Sequence, residues 1–230
     1  MSATGSSQPK PASRRQQQRT VDTRLKIIRS ALSEFAVLGF DGASTRGIAE
    51  AAGVPHSLVI YHFHTKDELW HETVKEAVGW YARRNFGVIG PVKDGDPVRR
   101  LKRNFAHYIR FSAEHPDFFR MLTHENSLAS DRLTWLVNNH VRPTLTYMTE
   151  LIRRAQALGA FVEGDPLKLL YVFLGAATSP YRSAREIELL TGQSPNTEQA
   201  IRRHVELCER LFFRTPKSPS PLKEVRPLRP

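Results

Sequence analysis

Apolar side chains recur along this chain at intervals of three and four residues, the spacing of one face of an α-helix. No stretch alternates with the period of two that a half-buried strand needs, and Gly, Pro and Asp fall between the amphipathic segments. The pattern predicts an all-α protein. A first helix spans Thr20 to Leu38, with Leu25, Ile28, Leu32 and Phe35 on one face. Two short helices follow between Ser44 and Phe63. A fourth starts at a Thr65/Glu68 capping box and runs to Phe86, before a loop from Gly87 to Pro97. Asp96-Pro97 opens a fifth, to Ala113, and His115-Pro116 a sixth, to Glu125. A seventh covers Ser130 to Leu158, bent around Pro143 and stopped by Gly159. Asp165-Pro166 opens an eighth that ends at Thr191-Gly192, and a ninth runs from Asn196 to Phe213.

The segment STRGIAEAAGVPHSLVIYHFHTKDEL, Ser44 to Leu69, carries the functional signal. Ser44 is a good N-cap, and Ile48, Ala49 and Ala52 give the next helix its apolar face. Gly53 stands where a left-handed C-cap is cheapest without a Cβ. Val54 plugs the corner, Pro55 has a φ suited to a first helical turn, and His56 to Phe63 buries Val59 and Phe63. Two short helices joined by a tight turn form a helix–turn–helix, whose second helix sets its N-terminal residues against base edges in a major groove. Duplex DNA is the expected partner.

Arg24, Ile27, Ala31, Phe35, Gly39 and Phe40 precede this motif, and Tyr61, His62, Phe63, Lys66, Glu68 and Leu69 close it. Over Arg24 to Leu69 the chain resembles the N-terminal head of the tetracycline-repressor (TetR) family of bacterial transcription regulators. It departs from that pattern at Pro55, where a Ser or Thr cap is usual, and at Leu58 and Ile60, where Thr and Tyr often touch phosphate. Weaker likenesses in HPDFFRMLTHE, LIRRAQALGAF and EIELLTGQSP extend the resemblance over most of residues 21–213. It implies nine helices, three of them in the head, and a homodimer whose last two helices from each copy form a four-helix bundle. Two heads would then meet a palindromic operator.

Charge changes the picture through its location. The net charge of +11 includes +4 in residues 1–20, from Lys10, Arg14, Arg15 and Arg19, and +4 in residues 214–230, whereas residues 21–70 carry −1. A basic arm over 1–19, disordered without DNA, therefore precedes a nearly neutral DNA-binding domain at 20–66. An effector-binding and dimerisation domain at 67–213 and a Pro-rich disordered tail at 214–230 complete the expected organisation. The arm has two readings, a set of phosphate or minor-groove contacts and a solubilising tail. A single cysteine, Cys208, excludes an intrachain disulfide and reads as a small buried hydrophobe. The polar N-terminus is no signal peptide, and the longest apolar run, Leu169 to Ala177, is too short to span a bilayer, so a cytoplasmic location is expected.

The expected DNA contacts are Ser44, Thr45, Arg46, His56, Ser57, Tyr61, His62 and Lys66. Arg46 can bind guanine O6 and N7 bidentately, and Tyr61 can donate to phosphate or touch a thymine methyl. The resemblance places His62 and Lys66 where family members grip the DNA backbone. In the body, Phe105, Tyr108, Phe119, Leu122, Trp135, Asn139, Tyr147, Phe173 and Thr178 mix aromatic walls with polar groups, as pockets for a small apolar or aromatic effector do. The expected dimer interface is Phe173, Tyr181, Val205, Cys208, Leu211 and Phe212. His56, His62, His64 and His71 invite a metal reading, but no cysteine is near and DNA contact accounts for His62, so no metal or cofactor is expected. No nucleophile elbow, phosphate loop or paired carboxylate stands out, which argues against an enzyme. The expected function is a ligand-responsive repressor. The alternative is an activator or architectural protein without an effector.

Overall fold

The computed structural model describes residues 11–84 and 95–214, and the described residues form ten helices and no sheet. They divide into two compact units: one holds the chain to Arg84 together with Asp117–Trp135, the other holds the remainder.

In the first unit, α1 (Pro11–Gly42) starts nine residues earlier than its apolar face requires. Pro11 suits a helix start, no breaker follows before Gly39, and the Gln18 amide donates to Asp22 across one turn at 2.8 Å. The part of the basic arm from Pro11 to Arg19 is therefore helix where disorder was expected, while residues 1–10 and the tail from 215 lie outside the described residues. Gly39, with φ 69°, interrupts α1 near its end in a conformation that suits glycine. The helices α2 (Thr45–Ala52), α3 (His56–Phe63) and α4 (Lys66–Arg84) close a core around Ile27, Ile28, Phe35, Ile48, Phe63 and Trp70. Arg24 of α1 pairs with Glu72 of α4 and lies over the Phe63 ring, joining three helices at one point. The Lys75 hydrogen bond, helped by that pairing, holds the Glu72 carboxyl below its usual pKa. Helix α6 (Pro116–Asn126), from Asp117 on, and the first five residues of α7 (131–157) also belong here. The Arg132 guanidinium stacks 3.6 Å from the centroid of Phe40, and its Nε donates to the buried Glu125 carboxylate at 3.3 Å.

The second unit contains α5 (Pro97–Glu114), most of α7, α8 (Pro166–Arg182), α9 (Ala184–Thr191) and α10 (Glu198–Phe212). Asp96, Asp165 and Thr197 cap their helices through side-chain oxygens, as their places before Pro97, Pro166 and Glu198 suggest. Helix α7 runs over 131–157 as Asp131–Leu136, a π-helical turn Val137–Val141 and Arg142–Ala157. Ahead of Pro143, where a bend was expected, the helix takes this π turn, and it lies where the proline ring would otherwise meet the carbonyl of Asn139. The expected eighth helix is two, parted at Ser183, which raises the count from nine to ten. Within α8, Pro180 has no N–H for the Ala176 carbonyl. His204 Nε2 of α10 lies 3.1 Å from that oxygen and donates to it. The core is aromatic: Phe105 stacks on Phe173 with centroids 3.4 Å apart, and Phe161, Phe212 and Phe213 pack around the pair.

Candidate nucleic-acid interface

Local chemistry builds the turn between α2 and α3. Ser44, extended at φ −130°, accepts the Gly47 N–H on its Oγ at 3.0 Å and so caps α2. At the other end Gly53 takes φ 58°, its N–H bonds to Glu50 O at 2.9 Å, and the Val54 N–H bonds to Ala49 O at 3.0 Å. These two bonds are a Schellman closure, which ends α2 within one residue and aims the chain at α3. Pro55 stands at the N-cap of α3, one position before the first turn in which the sequence placed it, and its side chain has no acceptor. In compensation, His56 Nε2 of α3 is 3.0 Å from Thr45 Oγ1 of α2, tying the two helix starts together.

Only Val59 and Phe63 of α3 are buried. Ser57, Leu58, Ile60 and Tyr61 face solvent, Tyr61 with 71% of its surface exposed. Ser44 and Arg46 are also exposed, beside the half-buried Thr45 at the start of α2. Seven of the eight expected contacts thus cluster on α2, its cap and α3, and Lys66 opens α4. The Lys66 ammonium donates to the carbonyls of Phe40 at 2.9 Å and Ala43 at 3.0 Å, and lies 4.4 Å from the Phe40 ring centroid. Two of its three donors thus close the end of α1, which leaves one for a phosphate. Burial, with the Arg24 charge, holds the His62 pKa below 6.5, so at neutral pH this side chain offers a hydrogen bond rather than a charge. His64 and His71 bond to Glu68 and to the Asp67 carbonyl, and no cluster of metal-ligating residues occurs among the described residues. Sequence reasoning missed the Arg132–Phe40 stack, because nothing local to either residue signals the other.

Comparison with known proteins agrees with this geometry. Residues 27–73 match the profile of bacterial regulatory proteins of the tetR family, and residues 97–211 match that of the tetracyclin repressor-like C-terminal domain. The chain belongs to the TetR family. It is 24% identical to the HTH-type transcriptional regulator RutR of Escherichia coli K12 over 202 residues, 85% of this chain and 91% of that protein. A TetR-family regulatory protein from Rhodococcus RHA1 superposes with a TM-score of 0.63 at 20% identity, covering 82% of this chain and 96% of the other. A TetR/AcrR-family regulator from Thermobifida fusca YX-ER1 gives 0.54 at 24% identity, covering 83% and 96%. TetR-family proteins are DNA-binding transcription regulators, not enzymes, and no helix among the described residues is long and apolar enough to cross a membrane.

The TetR-like C-terminal part holds the other expected sites. Phe105 and Phe173 are fully buried against each other, with the half-buried Tyr108 ring 5.9 Å from Phe173. Tyr147 carries the Arg100 guanidinium at 5.9 Å, the Thr178 hydroxyl donates to the Leu174 carbonyl at 2.9 Å, and Asn139 is exposed on the π turn. Trp135 belongs to the first unit, where its ring meets His71 at 4.3 Å and Trp70 at 6.1 Å; the buried Phe119 and half-buried Leu122 lie in that unit too.

The expected interface residues sort into two groups. Phe173, Tyr181, Cys208 and Phe212 point into the chain's own core, and burial pushes the Cys208 thiol up to about 11. They belong to the inner stripes of α8 and α10 in a single copy. Val205 is half-buried and Leu211 exposed. The outward apolar side chains are Leu167, Tyr171 and Val172 on α8 and Leu207 and Leu211 on α10.

Proposed function

We propose that this TetR-family regulator works in the cytoplasm as a homodimeric repressor, released from a palindromic operator by a small, largely apolar or aromatic effector. The outward faces of α8 and α10 support the pairing: Tyr171, Val172 and Leu211 each leave more than half of their surface uncovered in a single copy. The effector reading rests on the Tyr181 hydroxyl. Tyr181 is 97% buried, its oxygen has no hydrogen-bond partner among the described residues, and burial raises its pKa to about 12. A buried hydroxyl left unpaired costs free energy that a bound polar group would recover. An aromatic effector with one acceptor suits that environment. Its differential affinity for two arrangements of the dimer would supply about 1–3 kcal/mol of coupling.

The test is to extract and identify small molecules carried by the purified protein, then titrate operator DNA with and without them. A saturating effector should weaken operator binding roughly 5- to 150-fold. Tyr181→Phe should blunt that response and leave effector-free operator binding intact. Loss of operator binding by the variant alone would make Tyr181 a structural residue, and an operator titration unmoved by any co-purified compound would favour the activator or architectural reading. With the operator placed over a promoter in a reporter strain, removal of the regulator should raise expression.

A further inference from the structure

Helix α3 exposes an unusual face for a short surface helix. Its sequence, HSLVIYHF, contains no Arg, Lys, Asn, Gln, Asp or Glu. Those are the side chains that read guanine, adenine and cytosine through hydrogen bonds at their edges. At 100° per residue, Ser57 and Tyr61 stand 40° apart at the centre of the exposed arc, with Leu58 on one flank and Ile60 on the other. Leu58 keeps 36% of its surface exposed, Ile60 40% and Tyr61 71%, while Val59 and Phe63 alone supply the inward packing. His56, the other polar residue of the first turn, already engages Thr45 through Nε2. The hydrogen-bonding capacity at the centre of the face is two hydroxyls, with the half-buried His62 at its edge; Leu58 and Ile60 are apolar.

One base presents an apolar group in the major groove, the C5-methyl of thymine. We infer that α3 reads its half-site mainly through thymine methyls, contacted by Leu58 and the Tyr61 ring, while hydrogen-bonded readout falls to Arg46 of α2. The inference rests on α3 being the DNA-contacting helix of this family member. It makes Leu58 a specificity determinant and gives each half-site a T-bearing step under α3.

The experiment begins with the full-length protein selecting duplexes from a random pool. Deoxyuridine then replaces each thymine of the selected half-site in turn, deleting the methyl and nothing else. Substitution at the contacted thymines should weaken binding about three- to fivefold each, from the area lost with one methyl group. At the thymine that Leu58 covers, Leu58→Ala should bind the thymine and uracil duplexes alike, so that the two changes are not additive there, while a methyl under Tyr61 keeps its effect. Leu58→Gln, which keeps a helix-forming side chain of similar length, should shift the selected base toward adenine. Unchanged affinity on every uracil duplex would overturn the inference and leave DNA binding untouched. So would a Leu58→Ala protein, folded by thermal melt, that loses as much affinity as the wild type on removal of each methyl in turn. A pool that yields no enriched duplex would overturn the DNA-binding role of α3 itself.

Discussion

The exposed face of α3 and the outer faces of α8 and α10 both present apolar side chains to solvent, in different settings. Helix α3 is eight residues long, carries no formal charge apart from its histidines, and buries two side chains. Helix α10 is fifteen residues long and two-sided: Ile201, Cys208 and Phe212 point inward, while Leu207 and Leu211 point outward among Arg202, Arg203, Glu206 and Arg210. Tyr171 and Val172 give α8 the same two-sided character around Phe173. A helix apolar on two sides calls for a second layer of protein, and charges between the apolar positions set its register. A short face with hydroxyls at its centre, beside an exposed arginine on α2, suits base edges. Exposed hydrophobicity alone does not name a partner; the polar groups around it do.

The largest effect should come from breaking the body face. Val172→Glu or Leu211→Glu puts a charge where we propose that two copies meet, and should give monomers by sedimentation equilibrium. Operator affinity should then fall about 100-fold or more, because the second head no longer profits from a high effective concentration. A variant that stays dimeric would move the interface elsewhere and end the contrast drawn here.

Arg46→Ala comes next. Loss of a bidentate contact should cost about 1–3 kcal/mol and relax the preference at one base pair in each half-site, read by competition binding against base-substituted duplexes. Equal loss on every sequence would assign Arg46 to phosphate instead.

Lys66→Ala sharpens the comparison from the side of stability. It removes two charge-assisted bonds that close α1 and should lower head stability by about 1.5–3 kcal/mol in chemical denaturation. It should also lower the salt slope of DNA binding, by about one if the third donor meets a phosphate.

The smallest effect concerns pH. Burial holds His204 below its ordinary 6.5, despite its bond to Ala176. The unfolded chain therefore takes up the proton first as pH falls, so stability should be full above about 6.5 and decline below it, down to the lowered folded value. His204→Gln, which keeps a donor for Ala176 without titrating, should flatten that decline in thermal melts. His62, lowered for the same reason, adds a parallel slope that this variant leaves in place.

What the sequence made legible was local. The Ser44 cap, the Gly53 closure and the Asp-Pro helix starts depend on residues within one turn of one another, and the structure has them where the pattern put them. Tertiary choices were not legible. Leu211 and Phe212 are neighbours with equal claim to an apolar surface, yet one is 55% exposed and the other 6%. Only the position of the aromatic core decides between them. The extension of α1 to Pro11 escaped notice because a polar helix has no apolar period to reveal it. Among the candidate contacts, positions on α2 and α3 followed from the motif, but the engagement of Lys66 with Phe40 and Ala43 depends on a chain reversal that no spacing encodes.

The hydrogen bond from His204 to the Ala176 carbonyl ties the allowed amino acids at two positions 24 apart in sequence. With proline at 180, the carbonyl needs a donor from another helix, and position 204 must supply a side chain of the right length. With alanine at 180, the helix would offer its own N–H, and position 204 would be released from that duty. Losing the histidine should thus be costly in one background and cheap in the other. A lineage could pass between the two arrangements at low cost only by changing residue 180 first.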